Sequence, residues 1–365
     1  MSYTFELNNE VKSANLVSGK VNGKSAVVEI FSAMTQGKDL SPYGKKADVA
    51  AKYIMELNSK AASGDMTAIS ELNEIRRFVV EPILMKEMKL LGIFGNYKNI
   101  GYNESCEVEI PTFANIGAEI QALGQDVKYP VLRKKRVPVA TTSISSGYAV
   151  DYRKAALGDM SAENELQEQI RVDIRNKAAK YVVETVYKAI TNATGVKYAL
   201  DANGLTKTGV DAVIANVRRF GKPTITGDYA LLAQFNAFAG YEGKTPAVTG
   251  ISEAVMKEIH DTGLMGSYNG CVLAELDNPY DLTKLNAAGD NFETMLPAGL
   301  GFVLPAGGKS PIYTISRGGL TSFSGNDVTT GMMLTRYDLE IGTTVAEGRE
   351  YEIGLIHDQA LDTLA

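Results

Sequence analysis

The sequence is poor in the residues that many enzymes and secreted proteins use for chemistry and for cross-links. Its 365 residues include no tryptophan, two histidines and two cysteines. The cysteines, Cys106 and Cys271, are too few for a disulfide framework and form no CxxC pair. We interpret them as small thiols in a reducing compartment. The sequence is therefore not that of a disulfide-stabilised secreted domain.

Long apolar runs are also missing. The first residues, MSYTFELNNEV, contain no basic segment followed by an apolar run, which argues against a signal peptide. No stretch approaches the roughly 20 consecutive apolar residues of a transmembrane helix. The net charge of −6 argues against a protein that coats nucleic acid by charge alone, because such domains are usually basic. We expect a protein with no membrane partner that is made or assembled in a cytoplasm.

The sequence contains no recognisable motif for catalysis, cofactors or metals. His260 and His357 have no second histidine at metal-ligand spacing, and neither HExxH nor GxSxG occurs. Three GK[ST] tripeptides begin at Gly23, Gly243 and Gly308, but each lacks the upstream glycine that a phosphate loop requires. We predict no catalytic residue, no cofactor and no metal.

The most strongly patterned stretch is residues 161–194, which contains neither proline nor glycine and ends just before Gly195. Ser161 is a suitable N-cap, and the acidic residues after it favour a helix N-terminus. Apolar residues recur every four positions, at Leu166, Ile170, Ile174, Ala178, Val182, Val186 and Ile190. Because a helix turns every ~3.6 residues, this line drifts around the helix axis. We predict a long spine helix with several packing partners; an ordinary core helix of an enzyme is the alternative.

Two extended segments precede the spine. Residues 104–113 alternate Cys106, Val108 and Ile110 with glutamates, which predicts a strand. Residues 131–153 are again extended and rich in β-branched side chains. With the glycine-containing segment between them, they predict a long two-stranded ribbon. Such a ribbon is marginal in water by itself, so we expect it to lie on another molecule.

The ribbon carries a basic cluster, Arg133 to Arg136. One interpretation is a contact with nucleic acid. The other is an exposed charged strand that resists aggregation and meets an acidic surface on a partner. The acidic charge of the whole chain favours the second interpretation.

Residues 46–92 predict helices, with Pro82 kinking or restarting the second one. Residues 205–330 alternate predicted helices and strands, with Thr208 and Asp228 as N-caps. This alternation predicts a compact α/β domain.

The two ends of the chain have different patterns. Residues 1–45 mix short alternating runs with glycines, which indicates an arm held by something outside the segment. Near the other end, two alternating runs flank Glu347 and Gly348. They predict a hairpin with one buried face.

This order of elements resembles the major capsid proteins of tailed bacteriophages, the Hong Kong 97-type fold. Four stretches carry the resemblance: ESCEVEIPTF, GYAVDYRKAALGDMSAENELQEQIRVDI, GVDAVIANVRRFGKPTITGDYALLAQF and RYDLEIGTTVAEGREYEIGLIHD. In this order, they are similar to four parts of that family's fold: the entry to its extended loop, the strand before its spine helix, the start of its axial domain, and its last peripheral strands. The resemblance covers residues 46–360 and rests on architecture, without an invariant motif.

The resemblance implies an α+β fold with four parts. These are an N-terminal arm (1–45), an extended β-ribbon or E-loop (105–150), a peripheral domain with the spine helix 161–194 (46–104, 151–204 and 331–365), and an axial α/β domain (205–330). The ribbon would lie over a neighbouring subunit. The axial loops would meet at five-fold and six-fold axes.

The same resemblance implies a structural shell protein, not an enzyme. It would self-assemble into hexamers and pentamers of an icosahedral head enclosing double-stranded DNA. The implied partners are further copies, a scaffolding protein, a portal, and packaged DNA bound without sequence specificity; the implied location is the virion capsid, assembled in the bacterial cytoplasm. We expect charged residues of the ribbon and closing segment at subunit contacts: Lys128, Arg133, Lys134, Lys135, Arg136, Arg336, Glu340, Glu347 and Arg349.

Two other functions stay open at this point. An encapsulin-like nanocompartment shares the fold but encloses protein cargo. An enzyme built on residues 205–330 is more distant, because the sequence offers no site for it.

Overall fold

The computed structural model describes residues 23–35, 39, 41–112, 133–151, 160–238, 253–286, 289–305, 310–327 and 329–361. The beginning of the predicted arm and the tip of the predicted ribbon lie outside these residues.

Three helices form one layer: α1 (Gly23–Thr35), α2 (Lys45–Ala62) and α3 (Met66–Met88). Their apolar faces meet in a core that includes Phe31, Ile54 and Leu72. The predicted helices within 46–92 are confirmed, and α3 contains Pro82 instead of restarting there. Helix α1 differs from the expected arm, because Phe31 is buried in the core of its own chain.

The spine helix is confirmed as α4 (Met160–Asn192). It begins one residue before Ser161, so Ser161 lies inside its first turn and is not the N-cap. The drifting apolar line is buried along the helix, at Ile170, Ile174, Ala178, Val182, Val186 and Ile190. As predicted, α4 contacts several elements: α1, α3 and two strands of a sheet.

That sheet has four strands in the order β1 (Asn96–Ile100), β12 (Ile312–Asp327), β13 (Met332–Val345) and β4 (Thr142–Asp151). β1 runs parallel to β12, and the other pairs are antiparallel. The alternating residues Tyr337, Leu339 and Ile341 are fully buried and join the core under α4. The predicted buried face of this strand is therefore confirmed.

A second sheet has six strands, in the order β5 (Tyr198–Ala202), β14 (Gly354–Asp358), β11 (Leu300–Pro305), β6 (Pro223–Gly227), β8 (Cys271–Glu275) and β7 (Ser267–Tyr268). Its helices are α5 (Lys207–Val217), α6 (Tyr229–Phe238) and α7 (Glu253–Thr262). Asp228 caps α6, as predicted, accepting a hydrogen bond from the amide of Ala230 at 2.7 Å. The cap of α5 is Thr206 and not Thr208, because the Thr206 hydroxyl accepts from Gly209 N.

Strand β11 connects the two cores of the molecule. Leu300, Phe302 and Leu304 belong to the core under α4, whereas Val303 points into the core between the six-stranded sheet and α5 and α6. A strand buried on both faces lacks polar alternation, which explains its continuous apolar sequence.

Two further strand pairs and three short 3-10 helices complete the described fold. The pairs are β2 (Glu107–Thr112) with β3 (Arg133–Pro138), and β9 (Tyr280–Leu285) with β10 (Phe292–Thr294). The 3-10 helices are Ser41–Tyr43, Lys89–Ile93 and Glu350–Glu352.

Two predicted strand pairings are wrong. Residues 142–151 pair with β13, so the described ribbon comprises β2 and β3 alone. The closing hairpin does not form, because β13 pairs with β12 and β4 while β14 enters the six-stranded sheet. The strands β6, β7, β8 and β11 of the 205–330 segment share their sheet with β5 and β14, which lie outside that segment. Alternation sets the buried face of a strand but leaves its partner undetermined.

Candidate subunit-contact surface

The ribbon base lies on its own chain through one apolar face. Val108 and Ile110 of β2 are buried in a small core with Ile315 and Ala346. The amide of Val139 donates to the carbonyl of Cys106 at 2.8 Å and extends the pairing by one residue. The expectation that the whole ribbon depends on another molecule is therefore wrong for its base.

The other face of the ribbon carries charge. Glu109 lies between two cations, with Lys134 Nζ at 3.0 Å and the Arg136 guanidinium at 3.2 Å. The hydrogen bond from Lys134, and then the charges of both cations, hold the pKa of Glu109 below its usual value. Both basic side chains stay more than half exposed.

A second ion pair joins the ribbon to the far end of the chain. Lys135 Nζ donates to Glu347 Oε2 at 2.6 Å, and Glu347 follows β13 at the turn. This hydrogen bond lowers the pKa of the Glu347 carboxyl. Both side chains are well exposed, so water and salt compete with the pair.

On the four-stranded sheet, the predicted contact residues also meet groups of the same chain. Arg336 donates to Asp338 at 2.7 Å and to the Ser145 hydroxyl at 3.0 Å. The carboxylate of Glu340 is 3.5 Å from the guanidinium of Arg317. The sheet surface thus carries paired charges of both signs.

Arg349 has a different environment. Its guanidinium forms two bonds with Glu352, at 2.7 and 2.6 Å, and both side chains are largely buried. The hydrogen bonds that Arg349 donates to the Glu352 carboxylate raise the pKa of Arg349. This ion pair lies in the turn between β13 and β14, so Arg349 stabilises a turn of its own chain.

The predicted contact residues are thus only partly brought together. Lys134 and Arg136 form one charged surface with Glu109, whereas Lys135, opposite Ile110 in the register, pairs with Glu347 on the other face of β3. Arg336 and Glu340 lie on the four-stranded sheet. Lys128 lies outside the described residues, and for Arg133 only the backbone in β3 is described. Their contacts with other subunits stay a prediction.

The β9–β10 hairpin was not predicted from the sequence. Its large apolar side chains Tyr280, Leu282, Leu285 and Phe292 are all exposed. The alternation of Tyr280 and Leu282 with Asp281 and Thr283 could have predicted the strand. It could not have predicted that this face is left uncovered.

The two histidines lie in unlike places. His260 is exposed, whereas His357 at the end of β14 is buried, with Nδ1 2.8 Å from Asp201 Oδ1. The neighbouring Asp358 accepts from Gln234, Gly204 N and Ala360 N, which stabilise its ionised form against burial. These groups tie the ends of β5 and β14 together.

Two absences among the described residues concern metal ions and membranes. Within them, no group of three or more His, Cys, Asp or Glu side chains could hold a metal ion. Among the described helices, none has the length and apolar character needed to span a bilayer.

Comparison with known families matches nearly the whole sequence to one of them. The matching model is described as "SPbeta prophage-derived putative capsid protein YonB", and it covers residues 6–357. No curated protein matches the sequence significantly.

Solved structures with a similar backbone come from phages and from a virus-like particle. The Mycobacterium phage Adephagia chain is 13% identical, with 76% of this chain and 91% of that chain covered and a TM-score of 0.47. A chain of the mature capsid of bacteriophage PhiM1 is 12% identical, with 74% of this chain and 87% of that chain covered and a TM-score of 0.46. The chain of the virus-like particle from Pyrococcus furiosus is 10% identical, with 76% of this chain and 97% of that chain covered and a TM-score of 0.43.

Proposed function

Since this chain belongs to the YonB family of prophage-derived capsid proteins, we propose that it is the major subunit of an icosahedral phage head. Membership of a capsid family makes it a shell protein with a structural role, located in the capsid. The finer proposal is that it forms the hexamers and pentamers of a Hong Kong 97-type shell around double-stranded DNA. The family match over residues 6–357 is the observation that carries this proposal.

Two features of the described chain support a role in assembly. The β2–β3 ribbon presents exposed cations, and the β9–β10 hairpin presents exposed apolar side chains. Neither surface stabilises a monomer in water, whereas contact with a second copy could cover both surfaces. In the proposed shell, the four-stranded sheet with α4 forms the peripheral part, and the six-stranded sheet forms most of the axial part.

We propose the remaining partners on the same basis. A scaffolding protein and a portal would take part in assembly in the bacterial cytoplasm. Packaged DNA would be enclosed without sequence-specific contacts, because a net charge of −6 does not favour tight coating of phosphates.

The test is the association state of the purified full-length chain. Size-exclusion chromatography with light scattering, followed by negative-stain microscopy of the leading peak, should show closed shells or capsomer rings. A 39.3 kDa monomer at every concentration, also when the chain is recovered from phage-producing cells that supply the proposed scaffolding protein, would contradict the proposal. Shells recovered from phage-producing cells should contain DNA; shells filled with a single protein would favour a nanocompartment instead.

A further inference from the structure

Strand β4 is the outermost strand of the four-stranded sheet and is paired on one side. Its register with β13 runs without interruption from Thr142 opposite Ile341 to Asp151 opposite Met332. Among the described strands, none pairs with its other edge. The N–H and C=O groups of that edge can therefore bind an added strand through backbone hydrogen bonds.

This edge lacks the features that usually prevent strand addition. Outer strands are normally kept short, or they carry charged side chains, prolines or bulges. β4 is 10 residues long, and residues 142–150 contain neither a charged residue nor a proline. On the face away from α4, its residues are small and exposed: Ser143, Ser145, Gly147 and Ala149. A neighbouring strand can approach this edge without meeting a bulky or charged side chain.

The other outer strands of the described sheets do carry such protection. β1, at the opposite end of the same sheet, has 5 residues and the exposed Lys98. In the six-stranded sheet, β5 has 5 residues and the exposed Asp201, and β7 has 2 residues. The β9–β10 hairpin carries Asp281 and Lys284. Only β4 combines length with a lack of charge, which indicates an edge that a partner covers.

The length of β4 fits an antiparallel pair with β4 of a second copy. With Ser146 on a two-fold axis, each residue faces the one that lies equally far on the other side of Ser146. Residues 142–150 of the two strands then overlap completely. In this register, the residues that face α4 meet each other, and so do the residues on the opposite face.

The side chains that meet in this register are compatible. Tyr148 lies opposite Ile144 on the face toward α4, and an aromatic residue opposite a β-branched one is a favourable cross-strand pair. Asp151 lies opposite Thr141, so no two carboxylates face each other. The strand is therefore complementary to itself.

The ribbon of a second copy fits this edge less well. β2 contains Pro111 and β3 ends at Pro138, and a proline cannot donate a backbone hydrogen bond to a neighbouring strand. The apolar face of the ribbon base is also buried on its own chain, through Val108 and Ile110. Self-pairing of β4 is the better match.

We propose that β4 of one copy pairs with β4 of a second copy across a two-fold axis. The two four-stranded sheets then form one continuous sheet, held by backbone hydrogen bonds. An isologous contact of this kind closes on itself and joins two copies. The contact rests on the proposed shell function. In an icosahedral shell, the two-fold axes relate subunits of neighbouring capsomers, so this contact joins capsomers.

Cysteine cross-linking tests the pairing and its register. Facing Cα atoms of an antiparallel pair lie ~4.5–5.5 Å apart, within the range that a disulfide spans. Shells of the chain with both Ser143→Cys and Ala149→Cys should give a covalent dimer as the main band after mild oxidation. Within one chain the two positions lie roughly 20 Å apart along the strand, so they cannot pair with each other.

Each single variant is the matched control. Shells of Ser143→Cys alone, or of Ala149→Cys alone, should give no more dimer than the unmodified chain, in which Cys106 and Cys271 are also free. Shells from an equal mixture of the two single variants should give about half the dimer of the double variant, because unlike chains meet in half of the contacts. A double variant that stays monomeric in its shells would overturn the contact. Equal cross-linking by a single variant, or capture of a different protein, would overturn β4 as the partner.

Charge pairs test the same register without a covalent bond. The chain with Ser143→Lys and Ala149→Lys places like charges opposite each other, and so does the chain with Ser143→Glu and Ala149→Glu. Each should raise the concentration for half-maximal shell assembly at least tenfold. A mixture of these two chains, and the chain with Ser143→Lys and Ala149→Glu, should assemble within about threefold of the unmodified concentration, because opposite charges face each other.

Failure of the contact and failure of the shell function give different results. Circular dichroism of the unassembled subunits confirms that each variant is folded. If the unmodified chain never assembles, the proposed function itself is contradicted. If the unmodified chain forms shells and the like-charged chains do so at the same concentration, only the β4 contact is contradicted.

Discussion

Lys135 on the ribbon donates a 2.6 Å hydrogen bond to Glu347, although 212 residues separate the two in sequence. The bond joins the first half of the chain to the turn that follows β13. Beside it, Glu109 accepts from Lys134 and Arg136 within the ribbon. The Lys135–Glu347 bond lies beside the small core of Val108 and Ile110 with Ala346, and this core holds the ribbon base against the end of the four-stranded sheet.

The ribbon base should loosen in acid. The pKa values of Glu109 and Glu347 lie below the ordinary value of 4.5, because both carboxylates accept hydrogen bonds from cations. Their stabilising effect is therefore complete above pH 4.5 and is lost as the pH falls through the lower folded values. Hydrogen exchange, corrected for the intrinsic rate, should show reduced protection of the Val139 amide in that range.

The control for this experiment is the double variant Glu109→Gln with Glu347→Gln. Its ribbon should have low protection already at neutral pH and should show no further loss in acid. An unmodified chain whose ribbon protection stays constant down to pH 3 would contradict the role of the two carboxylates.

Deleting residues 114–130 should separate folding from assembly. The ribbon base keeps its own apolar core through Val108 and Ile110, so the subunit should stay folded and soluble. Closed shells should no longer form, because the ribbon can no longer reach a neighbour. Circular dichroism and negative-stain microscopy measure the two effects.

The matched variant replaces the same segment by a Gly/Ser linker of equal length. It keeps the connection between β2 and β3 and removes only the side chains. Normal shells from the deletion variant would show that the ribbon is not an assembly element.

The spine should be sensitive to cavities. Ile174 is fully buried in the core that α4 shares with both sheets, so Ile174→Ala should lower the free energy of unfolding by about 2–5 kcal/mol. Lys177→Ala, on the exposed side of the same helix, should change it by less than about 0.5 kcal/mol. Denaturant unfolding of unassembled subunits measures both values. Equal effects would mean that α4 is not packed as described.

The turn after β13 should depend on its buried ion pair. Glu352→Gln leaves the largely buried guanidinium of Arg349 without its carboxylate, which should cost about 3 kcal/mol. The exposed pair Lys60–Glu56 is the matched control, and Glu56→Gln should cost under about 0.5 kcal/mol. Thermal unfolding distinguishes the two. A cost as small as the control would contradict a structural role for Arg349 in the turn.

The helices and most strands could be predicted from local patterns. Helix α4 is specified by an apolar repeat without proline or glycine, and β2 by its alternation of Val108 and Ile110 with glutamates. Both signals act over a few residues and depend little on the rest of the fold. The cap at Asp228 is local in the same sense, because its carboxylate reaches an amide two residues away.

The candidate site could be predicted less well. The basic cluster of the ribbon is visible in the sequence, but its partners Glu109 and Glu347 are not. The exposed apolar side chains of the β9–β10 hairpin could not be predicted, because the exposure of Leu282 and Leu285 depends on whether another element of the fold packs against them. An apolar residue on a strand gives the same sequence pattern whether its side chain is buried or exposed.

By itself, the sequence determined most of the helices and strands, and the buried face of those with a clear apolar period, such as α4 and β13. Only the tertiary structure decided the partners: β13 pairs with β12 and β4, while β14 inserts between β5 and β11 of the other sheet. The reason is physical. Side-chain periodicity encodes the direction of burial, whereas the choice among compatible strand edges depends on chain connectivity and on long-range packing around α4.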